Sequence, residues 1–183
     1  VNYKKINLEK IKNYHVLNKN FDYLINASGY INNNNKAKYK EHNFKITKNI
    51  FLYFKDSKIK AFLSFGSSAE YGGKNSPQSE NFECKPETNY GKDKLKCTNF
   101  LIKSFNKYRF PIIIFRAYQI YGPLQETNRL IPIASKACLF DKKFNCIDGN
   151  QIRDYLYIDD LVTAVLKAIN NSKAIGHIFN LGS

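Results

Sequence analysis

The chain has 183 residues, enough for one sizeable core and too few for two ordinary domains. Hydrophobic residues make up 43% and aromatics 15%, which excludes a disordered tail, and no apolar run reaches the ~18 residues of a membrane span. The net charge of +14 is almost entirely lysine, spread evenly among many Asn, Ile, Phe and Tyr, which reads as AT-rich coding bias rather than an arginine-clustered nucleic-acid surface.

In chain order, the sequence opens on valine and contains no methionine, so it is expected to begin partway through a longer protein. Tyr23 to Asn26 is a short apolar run that reads as a buried strand and leads into Ala27-Ser28-Gly29. Asn32 to Lys40 is polar enough for a mobile loop. Glu41 to Phe54 has helical period, with Phe44, Thr47, Phe51 and Phe54 on one stripe. Strand Ala61 to Phe65 then runs into Gly66-Ser67-Ser68, and Gly73 to Pro86 reads as a long exposed loop. A second helix, Tyr90 to Tyr108, carries Leu95, Ile102 and Phe105. Strand Pro111 to Phe115 leads into Arg116 to Gln119 and Tyr121-Gly122-Pro123. A third helix, Asp159 to Asn170, starts with carboxylates suited to its N-terminus and carries Val162, Val165, Leu166 and Ile169. His177 to Leu181 is the last strand. Strands without polar alternation, separated by helices, predict an α/β fold with a doubly wound parallel sheet. Such folds do chemistry beyond the carboxyl ends of their strands, where the loops above gather. Cys84, Cys97, Cys138 and Cys146 form no CxxC pair, so neither a metal site nor a redox dithiol is expected, and free cytoplasmic thiols are the plain reading.

Tyr90 and Lys94 stand at i and i+4, on one helix face. An ammonium beside a phenol favours the phenolate, and such a tyrosine can exchange a proton with a substrate hydroxyl or carbonyl while a nicotinamide carries hydride. The spacing alone is weak, because 13 tyrosines among so many lysines supply about two such pairs by chance. Context strengthens it: a strand end with Ser67 and Ser68 lies upstream, and Thr88 or Asn89 can cap the helix. Read in isolation, the two serines fit an ordinary hydrogen-bonded turn better.

With these segments in order, the chain resembles the extended short-chain dehydrogenase/reductase superfamily, in its nucleotide-sugar epimerase/dehydratase branch. The resemblance rests on Phe21 to Gly29, His42 to Asn49, Ser67-Ser-Ala-Glu-Tyr-Gly72, Tyr90-Gly-Lys-Asp-Lys94 and Arg116 through Pro123. Arg129-Leu-Ile-Pro132, Gly149 through Leu161 and Phe179-Asn-Leu-Gly182 complete it. It implies a Rossmann-type enzyme that takes NAD or NADP and a nucleotide-sugar substrate, without nucleic acid or membrane. In that reading Ser67 orients the sugar oxygen, Tyr90 is the acid/base, and Lys94 tunes Tyr90 and binds the nicotinamide ribose. Ala27, Ser28, Asn43 and Tyr118 would line the cofactor, together with Tyr90 and Lys94. Ser68, Gln119, Arg129 and Arg153 would meet the substrate, the arginines gripping its diphosphate. The plain alternative for Arg153 is a surface pair with Asp154.

The sequence also departs from the family pattern. Dehydratases carry carboxylates right after the catalytic Ser/Thr, where this chain has Ser68 and Ala69, with Glu70 one place late. That favours a 4-ketoreductase or 4-epimerase, with surface-polysaccharide synthesis as the expected setting, over a 4,6-dehydratase. Gln119 stands where asparagine is usual. The Gly-rich first turn is missing, Val1 to Leu8 resembles the third strand and its exit, and the family continues beyond Ser183. The expected organisation is a partial NAD(P)-binding domain over 1–125 and a partial substrate-binding region over 126–183, interleaved with the last Rossmann elements. A homodimer through the helices Glu41 to Phe54 and Tyr90 to Tyr108 is implied too. The competing readings are a non-catalytic remnant of the fold and a lysine-based nucleic-acid binder.

Overall fold

A strand with no polar alternation needs cover on both faces, and the computed structural model gives it to residues 61–65 and 112–117 but not to 23–26, expected buried, where Tyr23 and Ile25 are exposed because that strand lies at the sheet's edge. It describes residues 4–30, 42–73, 76–146 and 148–183. In chain order the elements are β1 (Tyr23–Asn26), α1 (His42–Phe54), β2 (Ala61–Phe65), α2 (Asn89–Tyr108), β3 (Ile112–Ala117), β4 (Gln119–Tyr121), α3 (Leu130–Leu139), β5 (Tyr155–Tyr157), α4 (Ile158–Ile169) and β6 (Ile178–Leu181). Short 3-10 segments occur at Ile11–Val16, Ser68–Glu70 and Ser172–Ala174. The main sheet has the order β1-β2-β3-β6, parallel throughout, and β4 and β5 form a separate parallel ribbon. The fold is Rossmann-type.

Alternation across the pleat sends neighbouring side chains to opposite faces. Phe62, Ile112 and Ile114 pack toward α1 and α2 with Ile46, Ile50, Phe51, Phe54 and Leu101. Ala61, Leu63, Ile113 and Phe115 pack on the other face with Leu161 and Val165 of α4. Each large side chain so buried contributes ~1.5–3 kcal/mol against the unfolded chain. Phe51 sits at the centre of the first layer, edge-on to Phe100 and Phe110 at 5.3 and 5.1 Å.

Several boundaries and faces differ from expectation. β3 extends two residues past Phe115, because Arg116 and Ala117 pair with Asn180 and Leu181 of β6. The buried face of α2 is Gly91, Asp93, Lys94, Cys97, Thr98, Leu101 and Ser104, whereas Leu95, Ile102 and Phe105 are half-buried. On α4, Leu161 joins Val165 in the core while Val162 and Leu166 face outward. Lys4–Leu8 pairs with no strand; β2 is the only ladder partner of β1 among the described residues. The polar stretch Asn32 to Lys40, Glu41 (expected to open the first helix), residues 1–3 and two positions of the 73–86 loop lie outside the described residues. No described helix is long and apolar enough to cross a membrane.

Candidate active site

All four strands of the main sheet end at one edge, so the loops after β1, β2 and β3 converge there. Ser67 leaves β2 in extended conformation and caps the Ser68–Glu70 turn. Its Oγ accepts from the Ala69 N–H at 3.2 Å, and its own N–H donates to Glu70 Oε1 at 3.0 Å. Glu70 is wholly buried, and its carboxylate also accepts from Thr98 Oγ1 at 3.1 Å and Arg116 Nε at 2.9 Å. Arg116 in turn donates to the Tyr71 hydroxyl at 2.9 Å, with its guanidinium over that ring. Tyr71 donates to Asn180 Oδ1 at 2.7 Å, which ties the serine turn to β6.

Thr88 caps α2 by accepting from the Gly91 N–H at 3.0 Å. Gly91 lies against the backbone of Ala69, where any side chain would collide, and this close approach brings the first helical turn onto the serine turn. Tyr90 and Ser67 meet across it. Burial pushes the Tyr90 phenol above its usual range, and the hydrogen bond with Ser67 opposes that push. Lys94, one turn on, is buried and donates from Nζ to the Phe65 carbonyl at 2.8 Å, with Nζ 5.9 Å from the Tyr90 ring centre. Burial lowers its pKa, and the nearby Cys97, Glu70 and Asp93 resist that. Burial thus dominates both titrations, where the sequence suggested that the lysine would set the tyrosine.

Toward β1, Ala27 is exposed, and Ser28 donates from both N–H and hydroxyl to Asn26 Oδ1. A side chain at Gly29 would begin 4.0 Å from Lys94 Nζ, so this loop and the lysine border one cleft. Asn43, buried at the start of α1, accepts from the Tyr30 N–H at 3.0 Å. Asp93, between Tyr90 and Lys94, accepts from the N–H groups of Asn43 and Phe44 at 2.9 and 3.2 Å and so caps α1 from α2. Tyr118, at the end of β3, donates from its N–H to Leu181 O and from its hydroxyl to Gln78 Oε1.

The substrate-side residues are more dispersed. Ser68 lies half-buried in the serine turn. Gln119 opens β4 opposite Tyr155, and its N–H reaches Asp154 O, so Gln119 and Arg153 lie at one end of the ribbon. Arg153 is exposed and donates to Gln151 at 2.7 Å, while Asp154 instead receives the Ser183 N–H. Arg129 precedes α3 and pairs with Glu126 at 3.4 Å in the open. Glu70, Thr98 and Arg116 were not legible as site residues. The signal for Glu70 was the Ser67-x-x-Glu70 spacing of a capping box, and for Arg116 a lone charge ending an apolar strand.

The family model described as "NAD dependent epimerase/dehydratase family" matches residues 4–182. An uncharacterised UDP-glucose epimerase of Bacillus subtilis is 28% identical over 145 residues, 79% of this chain and 46% of its own length. Human dTDP-D-glucose 4,6-dehydratase is 29% identical over 131 residues, 70% of this chain and 37% of its own. The chain therefore spans less than half the length of these two curated relatives. Among solved structures, UDP-glucuronic acid 4-epimerase from Bacillus cereus in complex with NAD superposes with a TM-score of 0.83 at 25% identity, over 95% of this chain and 58% of that one. Its complex with UDP-glucuronic acid and NAD gives 0.72 at 30% identity, over 77% and 46%.

Proposed function

The chain belongs to the NAD-dependent epimerase/dehydratase family, and from that we propose an NAD(P)-dependent enzyme acting at C4 of a nucleoside-diphosphate hexose, as a 4-epimerase or 4-ketoreductase. The observation that carries the reading is the meeting of Ser67 and Tyr90 at the strand ends, with Lys94 one helical turn behind. The donors present fit the nicotinamide-ribose half of NAD. Lys94 spends one of its three N–H donors on Phe65 O and borders the Gly29 loop, leaving donors for ribose hydroxyls. Ala27, Ser28, Asn43 and Tyr118 are the further candidates to line it. When bound, NAD supplies the hydride acceptor and donor.

The rest falls to this chain's own side chains. Ser67 orients the C4 oxygen by hydrogen bonding. Tyr90 holds and moves the proton at that oxygen; a phenol titrating above its usual range is protonated at neutral pH and poised to donate to a ketosugar oxygen. Lys94 places its amino group on the same helix face, where burial lowers its pKa and the nearby Cys97, Glu70 and Asp93 oppose that. Gln119, Arg129 and Arg153 are proposed to take the nucleotide diphosphate, with Ser68 a further substrate contact. Buried Glu70 bears on the reaction type: its carboxylate is enclosed by protein donors, and no carboxylate stands at Ser68 or Ala69, which favours the 4-epimerase or 4-ketoreductase over the alternative 4,6-dehydratase.

The test is Tyr90→Phe in the intact protein, assayed with NAD or NADP and UDP-glucose, UDP-glucuronic acid or dTDP-glucose. Turnover falls ~10²–10⁴-fold while dinucleotide affinity is largely kept; near-normal turnover defeats the proposal. Homodimerisation through α1 and α2 is proposed as well, supported by the open groove that Phe44, Leu95 and Phe100 line, and sedimentation velocity tests it. A cytoplasmic place in surface-polysaccharide synthesis completes the proposal, to be checked by fractionation and by glycan analysis of a deletion strain.

A further inference from the structure

Three donors from three elements converge on one buried carboxylate: the Ser67 N–H after β2, Thr98 Oγ1 of α2 and Arg116 Nε of β3. The group is fully enclosed, its pair distance is 2.9 Å, and a side chain at Gly66 would collide with it. A buried ion pair is weak evidence for stability, because desolvation offsets its attraction, so its geometry invites a different account. Ser67 accepts from Ala69 through Oγ while Glu70 holds its backbone N–H, which leaves the hydroxyl proton free to face Tyr90.

We propose that Glu70 is a positioning residue for Ser67: clamped by Arg116 and Thr98, its carboxylate fixes the serine backbone so that the hydroxyl stays aimed at Tyr90 and the sugar oxygen. This rests on the reading of Ser67 and Tyr90 given above. A carboxylate is required because both of its oxygens accept. The amide of glutamine has one acceptor atom and must turn its NH2 toward either the Ser67 N–H or the Arg116 guanidinium. Glu70 does not touch substrate and acts only through Ser67.

The experiment uses the intact protein and whichever of UDP-glucose, UDP-glucuronic acid or dTDP-glucose it turns over with NAD or NADP. The pair variant Glu70→Met/Arg116→Met replaces the ion pair by apolar side chains of similar volume, an exchange that is often neutral for stability. Its kcat falls on the order of 10-fold or more with KM within about twofold, and on a Ser67→Ala background it adds no further loss. Glu70→Gln, which leaves the site filled, gives the same pattern should the pair variant not fold. Unchanged kcat, or an equal loss with and without the Ser67 hydroxyl, overturns the proposal. Tyr90→Phe is run alongside: if it stays active the underlying reading fails, and if it is dead while the Glu70 variants match the unsubstituted protein, only the positioning role fails.

Discussion

Gly91→Ala perturbs the contact that seats Tyr90 beside Ser67. An added Cβ would lie 3.0 Å from Pro86 Cβ and 3.1 Å from the Ala69 carbonyl carbon, and closer still to the Ala69 oxygen, all without flexible ends to yield. Two effects oppose each other in stability. Alanine is favoured over glycine within a helix by ~1 kcal/mol, whereas overpacking costs ~1–3 kcal/mol. The net destabilisation is therefore ~0–2 kcal/mol, a lowering of Tm by up to about 8 °C. Activity responds more. Relieving the clash moves α2 from the serine turn by on the order of 1 Å, and a displacement of that size can cost ~10²-fold in turnover. Initial rates with dinucleotide and sugar nucleotide, together with a thermal melt, separate the two effects. A variant with kcat within twofold of the unsubstituted protein and an unchanged Tm refutes the idea that this contact seats the tyrosine.

Stability should fall on the alkaline side. Cys97 and Tyr14 are both pushed up to about 12 by burial, from ordinary values of 9.0 and 10.0. A group whose folded pKa is raised contributes stability that is whole below its unfolded pKa and is lost as pH rises through the folded one, here across about 9 to 12. Lys94, lowered by burial, works in the opposite sense, but Tyr71, Tyr90 and Tyr118 are raised and side with the loss. Urea midpoints from pH 8 to 12 check this, and a flat or rising curve contradicts it. Thiol labelling with DTNB should modify exposed Cys138 and Cys146 quickly and buried Cys97 only on unfolding; rapid reaction of Cys97 would count against the packing of α2. Asp93→Ala removes the cap on the first N–H groups of α1 and should cost ~1–2 kcal/mol, read as a lower urea midpoint. An unchanged midpoint would show that the cap carries no net stability.

The elements that could be read from sequence were those built on apolar runs. β1 and β2 fall on the residues expected, and α1, α2 and α4 within a residue of theirs. Such segments carry their own signal, since a run like Ala61 to Phe65 has no other place to go than a core. β4, β5 and α3 were not anticipated. The two strands are three residues each and half-exposed, and α3 carries Pro132 in its first turn among apolar residues that set no clear stripe. The face of α2 misled for a related reason. Its most buried positions include Asp93, Lys94 and Thr98, polar groups admitted because β2, the Ser68–Glu70 turn and α1 offer them partners that periodicity cannot see. The same holds at the site. Tyr90, Lys94 and Ser67 carry a recognisable spacing, whereas Glu70 and Arg116 matter only as a pair 46 residues apart.

The bonds between the serine turn and β6 also bear on the order of assembly. Tyr71 to Asn180 spans 109 residues, and Asn180 reaches back across 102 and 100 residues to Gln78 O and Glu80 Oε1. Contacts so distant along the chain close late, after local helices and neighbouring strands have formed. On a ribosome, a nascent chain that has emerged as far as β3 already holds Ser67, Tyr90 and Lys94, yet the strand that anchors their loop has still to be made. The turn that carries Ser67 is thus anchored by a strand made long after it, and folding errors at β6 are felt at a turn more than a hundred residues upstream.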